Sequence, residues 1–331
     1  FTHFDTRGGD PDLHSHVLIA NKVQAPDGRW LSLDGRAIFQ MHQAISSRYD
    51  AILHDKLTRR MGVEFQAHYP HPDKAPIWEI AGIDRTLIDA FSSRRAMARP
   101  VYNQLVADYV AKHGRQPGQR ASYALWQKAI LDTRDAKKPA LSLDEHRAGW
   151  REVAAQIVDE HALGTLTDRV TRHGKAGVER DIFNADTHAR VVAARAVGAV
   201  TARRAQFRRS HVQTAVSTAL KGYVFTGEQT LDQAHQAVMD TAMDELVIPL
   251  TPPEILDLPG ALTRPDGAGV DRHANTEKFT THAVLDAEQL ALDAARTPVA
   301  VTAPAAVLEH VLAEHETSEG WSLNAGQRAL A

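Results

Sequence analysis

Three histidines stand near the start of the chain, on either side of a turn-forming segment. The stretch reads FTHFDTRGGDPDLHSHVLIAN, with His3 before RGGDP and with His14 and His16 after it. Side chains two residues apart on a strand point to the same face, so His14 and His16 are expected side by side. Glycine, aspartate and proline favour a reversal, which would return His3 to that pair. The segment therefore predicts a two-stranded hairpin that carries three imidazoles.

Three imidazoles that leave coordination positions open suit a catalytic divalent metal ion. The chain has no cysteine, so thiolate ligands and disulfides are excluded and any ion must take nitrogen or oxygen ligands. Ordinary surface or core histidines are the alternative in a chain that holds 18 of them. The His-x-His spacing, the third histidine and the apolar run Val17–Ala20, read as a buried strand, favour the metal site.

The hydrophobic periodicity predicts an α+β fold, with an antiparallel sheet backed by helices. A helix is predicted from Ile38 to Met61, with an apolar face that includes Ile45 and Tyr49, and Gly62 is its natural stop. The segments VEFQAHY and IWEIAGI are predicted strands, and a helix follows from Arg85 to about Arg99.

The length of 331 residues suggests about two domains. We place the boundary between residues 157 and 158, because the later part is alanine-rich and mostly helical in pattern. The net charge of −3 provides no general basic field for nucleic acid, so polyanion binding would need local patches. No apolar run is long enough to span a bilayer, so we expect no membrane insertion. The absence of cysteine is consistent with a cytoplasmic location, which we expect.

The opening motif resembles the three-histidine motif of MobF-type conjugative relaxases, the TraI/TrwC-like members of the HUH endonuclease superfamily. The similarity lies in His3, the lead-in Asp10-Pro11-Asp12-Leu13, the pair His14 and His16, and Asn21. Other stretches that resemble bacterial relaxase-helicases are FSSRR, TRDAKK, TEKFTTHAVLDAEQ and WSLNAGQRALA.

The resemblance implies a palm-like antiparallel sheet in which His3, His14 and His16 hold a divalent ion, Mg, Mn or Zn. The ion would polarise a phosphate of single-stranded DNA at an origin of transfer, and a tyrosine would attack it to form a covalent intermediate. In this family the nucleophilic tyrosines precede the histidines, so no residue here is assigned as catalytic. We expect the chain to be a fragment that binds metal without nicking DNA alone.

Further expectations follow from the same resemblance. Residues 1–157 would be the C-terminal part of a relaxase domain, and residues 158–331 the helical start of a helicase-like domain that ends before its phosphate loop. Arg94, Arg95 and Lys137 are candidates for contacts to DNA phosphates, although exposed charges are often only solvated. Gln327 is a candidate for reading adenine, with ATP needed only in the full helicase. Other relaxosome and coupling proteins are possible partners.

Two other functions stay open on the sequence. A non-catalytic DNA-binding remnant would keep the histidines without the tyrosine. A metal-dependent hydrolase of the amidohydrolase kind also begins with His-x-His on a strand, but it needs a parallel barrel of alternating strands and helices.

Overall fold

The computed structural model describes residues 1–25, 27–69, 76–134, 141–173, 181–225, 230–252, 258–263, 269–270, 272, 275–297 and 304–319. The predicted hairpin is present: strand β1 (Thr2–Asp5) pairs with strand β2 (Pro11–Ser15) in antiparallel fashion. The register places His3 directly opposite His14, with an irregularity before Asp5. The turn contains Gly9 at φ 93°, a left-handed conformation that suits glycine.

The prediction that the strand continues as a buried run after His16 was wrong. Val17, Leu18 and Ile19 are 81%, 84% and 61% exposed. Strand β2 ends at Ser15, and beyond it the His16 N–H donates a cross-strand hydrogen bond to the Phe1 carbonyl.

The remaining strands form three more antiparallel pairs, joined in the order of the chain. The pairs are β3 (Val23–Gln24) with β4 (Trp30–Leu31), β5 (Phe65–His68) with β6 (Ile77–Ile80), and β7 (Ile248–Pro249) with β8 (Phe279–Thr280). Within the described ranges each sheet has two strands, and no hydrogen-bonded ladder joins them into one palm. The fold is α+β with small antiparallel sheets, which differs from the parallel barrel that a hydrolase would need.

Helices dominate the rest of the described chain. The first seven are α1 (Arg36–Met61), α2 (Arg85–Ala90), α3 (Ser93–His113), α4 (Gln119–Asp132), α5 (Leu143–Ala155), α6 (Glu160–Gly164) and α7 (Leu166–His173). The other five are α8 (Ala185–Thr201), α9 (Arg209–Leu220), α10 (Leu231–Thr241), α11 (His282–Arg296) and α12 (Ala305–Glu319), with one π-helical turn at Ala242–Leu246. Among them, none is both long and apolar enough to cross a membrane.

Two helix boundaries differ from the prediction. The helix expected from Arg85 to about Arg99 is broken into α2 and α3 at Phe91 and Ser92. Helix α3 then continues through Pro100, where the missing N–H costs one helical hydrogen bond. Packing of α3 against α4, which includes an edge-on contact of Tyr102 and Trp126 with ring centroids 5.3 Å apart, supports the continuous helix.

Helix α1 has its predicted length but not its predicted buried face. Gly62 ends it in the left-handed conformation, as expected. However, Ile45 and Tyr49 are 55% and 62% exposed, whereas Ala44 and Ala51 are 5% and 3% exposed. Helix α1 packs against α9, and its buried residues are Ala44, Ala51 and His54.

The largest described core belongs to the second half of the chain and includes one side of α1. Helices α8, α9 and α10 contribute most of its buried residues, and Ala51 from α1 joins them. Lys221 Nζ lies 3.1 Å from the Asp50 carboxylate, and Arg48 pairs with Asp232. The two predicted regions therefore share packing through α1, and the boundary after residue 157 remains a prediction.

Candidate metal centre

The hairpin brings the three predicted histidines together. The ring centroids lie 5.4 Å apart for His3 and His14, 4.8 Å for His3 and His16, and 5.0 Å for His14 and His16. Cross-strand pairing places His3 beside His14, and the two-residue period of β2 carries His16 to the same side. The cluster is thus a direct result of strand geometry.

One nitrogen of His14 is fixed by the strand that carries it. His14 Nδ1 lies 2.8 Å from the backbone carbonyl oxygen of Asp12, and 3.5 Å from the Asp12 carboxylate. A carbonyl oxygen can only accept, so Nδ1 donates its proton and the Nε2 of the neutral ring keeps a lone pair. Such a partner behind the ring is typical of metal-binding histidines.

The Nε2 atoms of His14 and His16 face each other and form a hydrogen bond of 3.2 Å. Because His14 Nε2 keeps its lone pair, it accepts this bond from His16 Nε2. When two nitrogens bind one zinc ion, they lie roughly 2.9–3.4 Å apart at the usual bond lengths and at octahedral to tetrahedral angles. The distance between the two Nε2 atoms falls in this range. In the part of the chain that the structure describes, no three acidic, histidine or cysteine side chains already stand in a metal-holding arrangement, so His3 would need to rotate to join this pair.

The electrostatics of the cluster favour a neutral His16 ring. The pKa of His16 lies below its ordinary value because neighbouring groups desolvate the ring and because His3, His14 and the chain N-terminus add positive charge nearby. A neutral imidazole is the form that binds a metal. The lowered pKa of His16 therefore favours the form of this ring that can bind an ion.

Two other elements hold the turn of the hairpin, and the sequence did not indicate either. Asp10 is buried and accepts hydrogen bonds from Ser93 at the start of α3. The indole N–H of Trp150 donates to the Gly9 carbonyl at 2.6 Å, and His146 lies 3.6 Å from the Asp5 carboxylate. His146 and Trp150 stack one helical turn apart on α5, and this i,i+4 aromatic pair is the signal that could have identified the contact.

The other predicted site residues have different outcomes. Arg94 and Arg95 lie exposed on the first turn of α3. The hydrogen bonds from Ser93 to Asp10 hold this turn of the helix beside the turn of the hairpin. Lys137 and Gln327 lie outside the described residues. Their proposed roles in DNA and nucleotide binding stay predictions.

Comparison with known proteins gives one family match and several partial structural matches. The family model for TrwC relaxase matches residues 1–157. A metal-free conjugative relaxase TrwC in complex with oriT DNA is 28% identical, with 47% of this chain and 50% of that chain covered and a TM-score of 0.35. A copper-bound form is 26% identical over 47% and 48% of the two chains, also with a TM-score of 0.35.

A third solved structure is TrwC complexed with a 27-mer DNA comprising the recognition hairpin and the cleavage site. It is 26% identical, covers 47% of this chain and 50% of that one, and has a TM-score of 0.32. The chain thus spans about half the length of the solved structures it matches. No curated protein is significantly similar to it.

Proposed function

We propose that residues 1–157, which match the family model for TrwC relaxase, bind single-stranded DNA at an origin of transfer and hold a divalent ion. The observation that carries the proposal is the cluster of His3, His14 and His16, with two Nε2 atoms at 3.2 Å. The ligands come from neighbouring strands, so the fold supplies them without a long-range rearrangement.

The ion, when bound, would neutralise charge on the non-bridging oxygens of a DNA phosphate and make its phosphorus more electrophilic. Imidazole ligands suit Zn²⁺ better than Mg²⁺, which prefers oxygen ligands. Asp12 fixes the His14 ring through its backbone oxygen. The arginines of α3, Arg94 and Arg95, would contact phosphates of the same strand.

The proposed reaction class is that of the family, in which a tyrosine oxygen attacks the phosphorus of a DNA phosphodiester. The bond from phosphorus to the 3′ oxygen breaks, the 3′ oxygen leaves and ends as a hydroxyl, and the 5′ phosphate stays bound to the tyrosine. We assign that nucleophile to no residue of this chain. Residues 158–331 are proposed as the helical start of a helicase-like region, and ATP would act there and not at the histidines. The division after residue 157 agrees with where the family match ends.

Selection from a random pool of single-stranded oligonucleotides tests the binding function. The chain should enrich one sequence family and should bind it more tightly than the complementary strand or the duplex. Nicking of the enriched strand by the full-length relaxase should require the ion and should be lost in His14→Ala. Failure to enrich any sequence, or a preference for duplex DNA, would contradict the proposal.

A further inference from the structure

Three arginines from separate elements line one hollow at the turn of the histidine hairpin. The hollow, which we call the arginine hollow, is lined by Arg7, Gly8, Arg94, Met97, Thr133 and Arg134. Arg7 belongs to the turn after β1, Arg94 to the first turn of α3, and Arg134 follows the end of α4. Only tertiary packing brings these positions together.

The described residues provide no ion-pair partner for the three guanidinium groups. Arg7, Arg94 and Arg134 are exposed, and among the described residues none of them forms an ion pair. Asp10, three residues after Arg7, directs one carboxylate oxygen to both donors of Ser93. The like charges of the three arginines repel each other, and an anion bound between them would add an attraction to each arginine.

The walls of the hollow fit a small anionic group better than a side chain. Thr133 Oγ1 donates to the Ala129 carbonyl at 2.7 Å, so its proton is already used within the helix. A Cβ added at Gly8 would lie 3.0 Å from Ser93 Oγ, a tight contact that the Ser93 side chain would have to relieve by moving. The donors left for a ligand are therefore the arginines, whose planar forks match phosphate oxygens.

We propose that Arg7, Arg94 and Arg134 bind one phosphodiester group of single-stranded DNA. This inference rests on the proposed function, and it names a contact point that is separate from the histidines. Arg7 lies in the turn of the hairpin, beyond the end of β1, whereas His3 lies within β1 opposite His14. The arginine hollow thus holds a phosphate other than the one placed at the ion, and it fixes the direction in which the strand leaves the hairpin.

The Asp10–Ser93 contact explains why the hollow has a fixed shape. It ties the hairpin turn to the first residue of α3, and Arg94 is the next residue along that helix. The same contact that holds the histidine hairpin therefore sets the distance between Arg7 and Arg94. The buried Asp10 carboxylate therefore links the position of the three histidines to the position of the bound DNA strand.

The test is fluorescence anisotropy of a labelled, mixed-sequence single-stranded oligonucleotide at several KCl concentrations. Replacement of Arg7, Arg94 and Arg134 together by alanine should weaken binding by roughly tenfold or more at low salt. The slope of log affinity against log salt should fall by about 0.7 for the lost phosphate contact. Arg94→Lys should keep the slope while losing part of the affinity, because a lysine keeps the charge without the fork.

Arg120→Ala is the matched control, since Arg120 is an exposed arginine at the opposite end of α4 from Arg134. It should change neither the affinity nor the slope. Circular dichroism should be unchanged in all variants, because the substituted side chains are exposed. Zn²⁺ titration of the triple variant should match that of the unaltered chain. This result would show that the arginine substitutions affect DNA binding without affecting metal binding at the histidines.

Two outcomes would overturn this inference alone. One is a triple variant whose DNA affinity and salt slope equal those of Arg120→Ala while the unaltered chain binds DNA. The other is that calorimetry detects inorganic phosphate bound to the unaltered chain and not to the triple variant, while both bind DNA with the same affinity. If the unaltered chain binds no single-stranded DNA at any salt, the proposed function fails together with this inference.

Discussion

The Asp10 carboxylate caps helix α3 from outside that helix. Its Oδ2 accepts hydrogen bonds from the Ser93 backbone N–H at 3.0 Å and from the Ser93 hydroxyl at 2.7 Å, across 83 residues of sequence. Ser92, at the N-cap position, makes no side-chain capping bond. A carboxylate there satisfies a free N–H and interacts favourably with the positive end of the helix.

Removal of this contact should destabilise the fold and loosen the histidine hairpin. We expect Asp10→Ala to lower the free energy of unfolding by about 2–3 kcal/mol, and Ser93→Ala by about 1 kcal/mol, as measured by urea denaturation. Asp286→Ala removes an exposed carboxylate of α11 outside its first turn and should change stability by less than about 0.5 kcal/mol. Equal stability of Asp10→Ala and Asp286→Ala would show that the cap is not energetically important.

The Trp150 contact should matter more for metal affinity than for folding. Trp150→Phe keeps an aromatic ring on α5 but removes the N–H that donates to the Gly9 carbonyl. We expect a loss of about 1 kcal/mol in stability and a weaker Zn²⁺ affinity in calorimetry, because the turn between the histidine strands loses a support. Trp30→Phe, at a 64% exposed position, is the control and should leave both quantities unchanged.

The histidines should act as one ligand set. His14→Ala and His16→Ala should each abolish detectable Zn²⁺ binding, whereas His3→Ala should weaken it, since His14 and His16 already face each other across 3.2 Å. His42→Ala removes an exposed histidine of α1 and should bind the ion normally. Full affinity in either His14→Ala or His16→Ala would refute the metal centre.

Close packing of α1 on α9 predicts a cost for larger side chains at the contact. Ala51 is 3% exposed, so Ala51→Leu should lower the free energy of unfolding by about 1–3 kcal/mol through overpacking. Ala107→Leu, at an exposed position of α3, should have little effect. If both variants unfold at the same urea concentration, α1 does not pack against the second half of the chain in solution.

His235 should make the protein less stable in mild acid. Burial lowers its pKa to about 4, the charge of Arg48 adds to the shift, and the ring Nε2 has no partner among the described atoms. An unfolded histidine titrates near 6.5, so between about pH 6.5 and 4 the unfolded state takes up a proton that the folded state does not. The free energy of unfolding should therefore fall as the pH falls through that window.

Substitution of His235 tests this sign. His235→Leu should flatten the loss of stability between about pH 6.5 and 4 in urea denaturation, by less than about 3 kcal/mol because the ring is partly exposed to solvent. His113→Leu, at an exposed position at the end of α3, should leave the pH dependence unchanged. If the free energy of unfolding of His235→Leu falls with pH as steeply as that of the unaltered chain, another group causes the loss of stability in acid.

The sequence by itself determined the local features of the proposed site. The His-x-His spacing, the turn residues and the third histidine predicted the hairpin, and the structure pairs His3 with His14. The length of α1 and its end at Gly62 were also predictable. These features follow from the two-residue period of strands, from turn propensity and from glycine's access to left-handed backbone, all of which act over a few residues.

Only the tertiary structure decided which faces are buried and which distant residues meet. Periodicity favoured Ile45 and Tyr49 as the inner face of α1, but the helix packs against α9 with Ala44, Ala51 and His54 buried. The contacts of Asp10 with Ser93 and of Gly9 with Trp150 span 83 and 141 residues. Hydrophobic burial is non-directional, so which elements pack together depends on the shape and spacing of the whole set and not on any one segment.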